Sequence, residues 1–299
     1  MAAEAPIKLF WYRKEPNFGD ALSPLVVAHL AGRPVAWAHR GECELYAAGS
    51  LMTMIANAHA EPRHDGSRPV IWGSGMMAPV SSGFLANVRL ALLRGPITAT
   101  LLGQRAEGYG DPGLLAPELL EEAPQRQDRI GVVPHLSKRG DPALVTALAE
   151  DPRLMLIDVT AEDPLDVVRQ IASCAYVFSS SLHGMTVADA FGVPNTWLDP
   201  SGNHGAAALK FYDYAASVGR ALPTPLAVDE IGAAIRAGLP ETIGHAAGVA
   251  ACRQALVEAF PAELRAGQGA TASPRATDGL GLRAEEARAS GYEMKGLAR

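Results

Sequence analysis

Short apolar runs alternate with helix-patterned stretches along most of this chain, and that alternation constrains its fold more than any other feature. Runs of strand character fall at Ile7–Tyr12, Val35–Ala38, Leu45–Ala48, Val70–Trp72, Val88–Leu92, Ile130–Pro134, Leu154–Val159, Ala175–Ser179 and Thr196–Leu198. Helical patterns lie among them at Ala21–Ala31, Pro96–Gly103, Ala143–Glu150, Leu165–Ser173 and Gly184–Phe191, and two amphipathic helices follow at Asp229–Ala237 and Ala246–Phe260. Such an order predicts βα units on mainly parallel sheets. Continuous apolar runs suit strands buried on both faces better than alternating ones would.

At 299 residues the chain has room for two domains. The polar, acidic segment Pro117–Asp128, interrupted by Pro124, reads as the linker, which divides the chain into residues 1–125 and 126–264. After about Leu264 the sequence turns Gly-, Ala-, Ser- and Arg-rich without an apolar period, so residues 265–299 are expected to form a disordered tail. A formal charge of −6 gives no footprint for nucleic acid. Cys43, Cys174 and Cys252 are scattered and lack metal-ligand spacing, as expected of reduced thiols in a cytoplasm. No HExxH-like or paired-cysteine pattern occurs, so no metal or other cofactor is expected. The first residues carry an acid and no apolar signal region, and no run reaches the roughly 18 apolar residues of a spanning helix. A cytoplasmic protein is expected, with peripheral membrane contact left open.

Ligands of open α/β sheets bind where the carboxyl ends of strands enter loops. Asn17-Phe-Gly-Asp20 follows the first strand: Gly19 permits a tight turn, Asp20 is placed either to cap the next helix or to face a ligand, and Asn17 reads as a ligand-facing amide. The glycine-rich Ala48-Gly-Ser50 and Trp72-Gly-Ser-Gly-Met76 are weaker signals of the same kind. In Arg94-Gly-Pro-Ile-Thr98, Pro96 opens a helix and Arg94 sits where its guanidinium can fork onto a carboxylate or phosphate. The run Ser179-Ser-Ser-Leu-His-Gly184 joins a strand to a helix: backbone N–H groups and serine hydroxyls suit an anion, Gly184 allows close approach, and His183 supplies a proton-transfer group. The alternative is that one serine caps the helix and His183 is a hydrogen-bonded core histidine.

Asn17-Phe-Gly-Asp20, Arg94-Gly-Pro-Ile-Thr98, Gly110-Asp-Pro112, Ser180-Ser-Leu-His-Gly184, Gly192-Val-Pro194, Lys210-Phe-Tyr-Asp-Tyr214 and Ser217-Val-Gly219 resemble in content and order the motifs of the polysaccharide pyruvyltransferases, and most of all the ketal-forming branch of bacterial exopolysaccharide synthesis, of the xanthan and succinoglycan type. The resemblance runs from about Ile7 to Gly219. It implies two Rossmann-like domains arranged as in GT-B glycosyltransferases with a cleft between them, the first on the acceptor side and the second on the donor side. It also implies transfer of pyruvate from phosphoenolpyruvate, as co-substrate, to two hydroxyls of a sugar such as a lipid-linked oligosaccharide at the inner membrane face. Many relatives carry Arg-Leu-His at the last motif, with arginine and histidine on the donor; this sequence has Ser181-Leu182-His183.

For that chemistry His183 is the expected proton donor, with Asp20 or His135 deprotonating the sugar. Arg94, Ser179, Ser180, Ser181, Gly184 and Lys210 are expected on the donor, and Asn17, Gly19 and Asp111 elsewhere in the cleft. Two rivals stay open. Nucleotide-sugar glycosyltransferases of the same fold often carry a Glu a few residues before a Gly-x-Pro such as Gly192-Val-Pro194, to hold the ribose; Val187 falls there by hand alignment, with Asp189 close by. The other rival is an inactive carbohydrate- or phosphate-binding relative.

Overall fold

A computed structural model describes residues 4–138, 140–200 and 207–266; the expected tail lies outside them from residue 267 onward. Two parallel sheets organise the described chain. The first contains β1 (Ile7–Phe10), β2 (Val35–Trp37), β3 (Leu45–Tyr46), β4 (Val70–Ser74) and β5 (Arg89–Leu93) in the order β2-β1-β3-β4-β5. The second contains β6 (Gln127–Val133), β7 (Leu154–Leu156), β8 (Cys174–Ser179) and β9 (Asn195–Trp197) in the order β7-β6-β8-β9. Every pairing is parallel. β4 is buried along its whole length, as a strand covered on both faces must be. All the predicted strands are present, with ends shifted by a few residues.

Helices α1 (Phe18–Ala31), α2 (Met52–Ala58), α3 (Pro96–Leu101), α4 (Pro142–Glu150), α5 (Pro164–Ser173), α6 (Leu182–Ala190), α7 (Ala207–Ser217), α8 (Ile231–Ala237) and α9 (Ala246–Ala259) cover the sheets. The dipeptide Asp-Pro starts three helical segments by one device. Asp111, Asp141 and Asp163 each accept a hydrogen bond from the N–H two residues on, and the following proline occupies the first helical position, where no N–H is required.

In each sheet the strand order reverses beside the first strand: between β1 and β3, and between β6 and β8. Chains leave a reversal point toward opposite faces and open a crevice at the carboxyl ends. The loops there are Asn17–Asp20 and Gly49–Ser50 in one sheet, His135 and Ser179–His183 in the other. The two edges meet directly, for Phe18 N–H donates to the Val159 carbonyl at 2.8 Å.

The expected linker is shorter than its sequence suggested. Pro112–Leu119 forms a 3₁₀ helix whose Leu114, Leu115 and Ala116 join the core, so only the stretch between Leu119 and Gln127 connects the sheets. Apolar composition outweighed the acidic residues beyond it. The chain end also crosses back: Trp72 of β4 donates to the Leu256 carbonyl at 3.0 Å and meets Phe260 edge-on at 5.1 Å. One apolar cluster runs continuously from Ile7 and Trp72 to Val177, Phe211 and Leu256.

Candidate active site

Asn17 caps α1, its Oδ1 accepting from Gly19 N–H at 3.0 Å. This corrects two expectations: the helix starts at Phe18, so Asn17 supplies the cap rather than a ligand contact, and Asp20 is released from capping to the first turn. A Cβ on Gly19 would overlap the His183 ring, so glycine is required where α1 meets α6. Asp20 itself lies beside Gly49, the glycine that follows β3.

His183 occupies the first turn of α6 and is buried. Its Nε2 is 3.6 Å from Asp111 Oδ1, which accepts from Gly113 N–H. His183 Nε2 and Asp111 Oδ2 are both sealed from solvent with no hydrogen-bond partner among the described residues. Buried polar atoms are rarely left so. Half-buried Lys210 on α7 completes the group, and its ammonium has no hydrogen-bond partner among the described residues.

Enclosure tunes these groups. Burial pushes the Asp20 carboxyl up to about 7, opposed by Lys210 and reinforced by Asp111 and Glu15. Burial, helped by the Arg94 charge and opposed by Asp20, brings Lys210 down to about 8. Burial lowers His183, against the pull of Asp111, with Lys210 and Arg94 lowering it further. The site therefore holds a neutral imidazole beside a carboxyl titrating at about 7 and an amine titrating at about 8.

Arg94 does not stand at an open loop mouth. Its side chain is fully buried; Nε donates to Asp213 at 3.0 Å, Nη1 to Ser50 at 2.7 Å and Nη2 to the Met76 carbonyl at 3.0 Å. Asp213 also accepts from Thr98 N–H at 2.8 Å and Thr98 Oγ1 at 2.7 Å. A buried guanidinium must be paired, and the partner is a carboxylate on α7, an element missed in the sequence. Its signal was available, because Phe211, Tyr214, Ala215 and Val218 recur at helical spacing and are buried.

The serines build the loop more than they line it. Ser179 Oγ bonds the carbonyls of Val133 and Ser181, Ser180 Oγ accepts from His135 N–H at 2.9 Å, and Ser181 caps α6 by accepting from Gly184 N–H at 3.4 Å. Gly184 packs where a Cβ would strike Ser179 and Val133, so close packing on the sheet explains it rather than ligand approach. His135 lies past the end of β6, its Nδ1 3.0 Å from Ser137 Oγ. The structure thus gathers Gly19, Asp20, Asp111, His183 and Lys210, with Arg94 behind them, and assigns the hydroxyls of Ser179 and Ser181 to the fold.

Among the described residues no helix is long and apolar enough to cross a membrane, and no group of three His, Cys, Asp or Glu side chains is placed to hold a metal ion.

Residues 68–202 match the family model described as polysaccharide pyruvyl transferase. An uncharacterized protein of Acanthamoeba polyphaga mimivirus, L143, is 34% identical over 109 residues, covering 35% of this chain and 38% of that protein. The succinoglycan biosynthesis protein ExoV of Rhizobium meliloti (strain 1021) is 32% identical over 129 residues, covering 42% of this chain and 40% of that protein. The chain thus aligns with about two fifths of each of these relatives. The family match takes in Arg94, Asp111 and the loop before α6; Asp20 and Lys210 lie outside it and join the site by geometry.

Proposed function

We propose, for a chain whose residues 68–202 match the family model described as polysaccharide pyruvyl transferase, that it transfers pyruvate from phosphoenolpyruvate to two hydroxyls of one sugar, forming a cyclic ketal and releasing phosphate. One observation carries the reading: His183 Nε2 and Asp111 Oδ2 lie buried and unpartnered where the carboxyl edges of the two sheets meet. We read those facing edges as a GT-B-like arrangement, with acceptor on the first sheet and donor on the second.

Lys210 and the first turn of α6 receive the donor's two anionic groups. Arg94 adds positive potential from behind while Asp213 holds it. A dianionic phosphate arriving beside neutral His183 raises the proton affinity of the imidazole, which takes up a proton from solvent and delivers it to the enol methylene carbon. The C2 centre gains positive character, and the first sugar oxygen bonds to it as its proton passes to Asp20. The bond from C2 to the phosphate oxygen breaks, and the second hydroxyl closes the ring. Of the two protons lost by the sugar, one replaces that given by His183 and the other leaves on phosphate, so the balance closes. A base titrating at about 7 suits Asp20's part.

Asp189 speaks against the nucleotide-sugar alternative. It is buried and bonded by Tyr214 at 2.8 Å, Asn195 at 2.7 Å and Arg220 at 3.1 Å, which leaves it unsuited to ribose; Val187 is buried too. The acceptor class, an oligosaccharide presented free or on a lipid at the inner membrane face, rests on the family.

The test incubates the protein with phosphoenolpyruvate and a panel of free and lipid-linked oligosaccharides, following phosphate release and acceptor mass together. Equal amounts of phosphate and pyruvylated acceptor are expected. Transfer from a nucleotide sugar, without either product, would overturn the proposal.

A further inference from the structure

At the opposite end of α6 from His183 lies a pocket of about 360 Å³, walled by Asn195, Gly219, Arg220, Thr242, His245 and their neighbours. Six residues separate His183 from Asp189, roughly 9 Å of helix, so this pocket opens at the amino end of β9 and not at the cleft. None of its lining residues serves the transfer chemistry proposed above.

The wall is anchored by Asp189, whose carboxylate is 1% exposed. Burial alone would raise its pKa; the close approach of His245 and the charge of Arg220 outweigh that and hold it low. Arg220 Nη1 reaches both Asp189 oxygens at 3.1 and 3.2 Å and Asn195 Oδ1 at 2.7 Å, while Nη2 donates to the Asn195 carbonyl at 2.8 Å. His245 Nε2 lies 3.1 Å from Asp189 Oδ2.

These contacts do not exhaust the donors. A guanidinium has five N–H groups. In Arg220 the Nε–H and one N–H of Nη2 have no partner among the described residues, although the side chain is only 9% exposed. Nε and Nη2 share one edge of the planar group, and that edge matches a pair of carboxylate or phosphate oxygens. His245 Nδ1 is likewise without a partner among the described residues. Arg126, which donates to the Phe191 carbonyl at 2.7 Å, adds positive charge at the same end of α6.

We propose that this pocket binds a small oxyanion, a carboxylate or a phosphate, on the free edge of Arg220 with His245 beside it. Asp189 and Asn195 hold the guanidinium in place before the ligand arrives, which reduces the ordering cost of binding. The site is separate from the transfer cleft and stands whether or not the proposed activity does.

The test titrates the full chain with inorganic phosphate and, separately, with pyruvate by calorimetry, while the His245 ring is followed by NMR. Three variants accompany it. Arg220→Gln removes the fork but also strips Asp189 of its partner. Ala221→Glu leaves the buried cluster intact and sets a competing carboxylate at an exposed lining position. Lys210→Met disables the cleft. At least one anion should bind saturably and shift the His245 resonances, with affinity unchanged in Lys210→Met and at least tenfold weaker in Ala221→Glu and Arg220→Gln. Binding by phosphate alone or pyruvate alone identifies which oxyanion the pocket takes. Saturable binding by neither anion, binding indifferent to Ala221→Glu, or binding lost in Lys210→Met would each overturn the proposal.

Discussion

Asp20, Lys210 and His183 owe their chemistry to enclosure, so their effects appear as pH dependence. For kcat/KM, which reports the free enzyme, activity should rise as Asp20 ionises through about 7 and fall as Lys210 loses its proton through about 8. Asp20→Asn should flatten the acidic limb and Lys210→Met the alkaline limb, read from initial rates across that range; the phosphate group's own titration at about 6 lies lower. The same shifts bear on stability. Folding raises the Asp20 pKa above the ordinary 3.8, so its contribution is full below about 4 and is lost as pH climbs through 7. Lys210 behaves oppositely: folding depresses its pKa from 10.5, so its contribution is present above that value and is lost as pH falls through about 8. Denaturant unfolding of Asp20→Asn should therefore show a stability gain over the parent that grows between pH 4 and pH 7. At this scale the sequence identified which residue types gather but not their roles. Asn17 and Asp20 exchanged places, because a three-residue difference in where α1 begins, Phe18 and not Ala21, decides which side chain caps it.

Helix α7 ties the site together. Within little more than one turn, three side chains leave it: Lys210 toward Asp20, Asp213 to Arg94 and Thr98, and Tyr214 to Asp189. Removing one partner of a buried ion pair strands the other, so Asp213→Ala should cost about 3–5 kcal/mol in chemical denaturation. Asp213→Asn, which keeps the acceptor for Thr98, should cost less. Ser181→Ala should cost about 1 kcal/mol through the lost cap of α6. Strands were legible because a strand buried on both faces writes a continuous apolar run. The Arg94–Asp213 pair was not, because nothing in local pattern tells a lone arginine which distant carboxylate will neutralise it. The serine run misled for a related reason: hydroxyls that satisfy their own backbone look, in sequence, like hydroxyls offered to a ligand.

Across the whole molecule, the two parallel sheets share one apolar cluster and are stitched by Phe18 to Val159 and by Trp72 to Leu256. Unfolding should accordingly be one cooperative transition, with tryptophan fluorescence and far-ultraviolet circular dichroism superimposing; two separated transitions would show that the halves fold independently. The paired strand-order reversals were not legible from local sequence, since register and neighbour are set by packing. Once formed, they place a loop from each sheet at the same crevice, and the proposed catalytic group draws on both. The most direct measurement is therefore phosphate release from phosphoenolpyruvate at saturating acceptor, comparing the parent chain with His183→Ala verified as folded. Loss of the proposed proton donor predicts a fall of about 10²- to 10⁴-fold. A rate within a few-fold of the parent would contradict the assignment of the chemistry to His183.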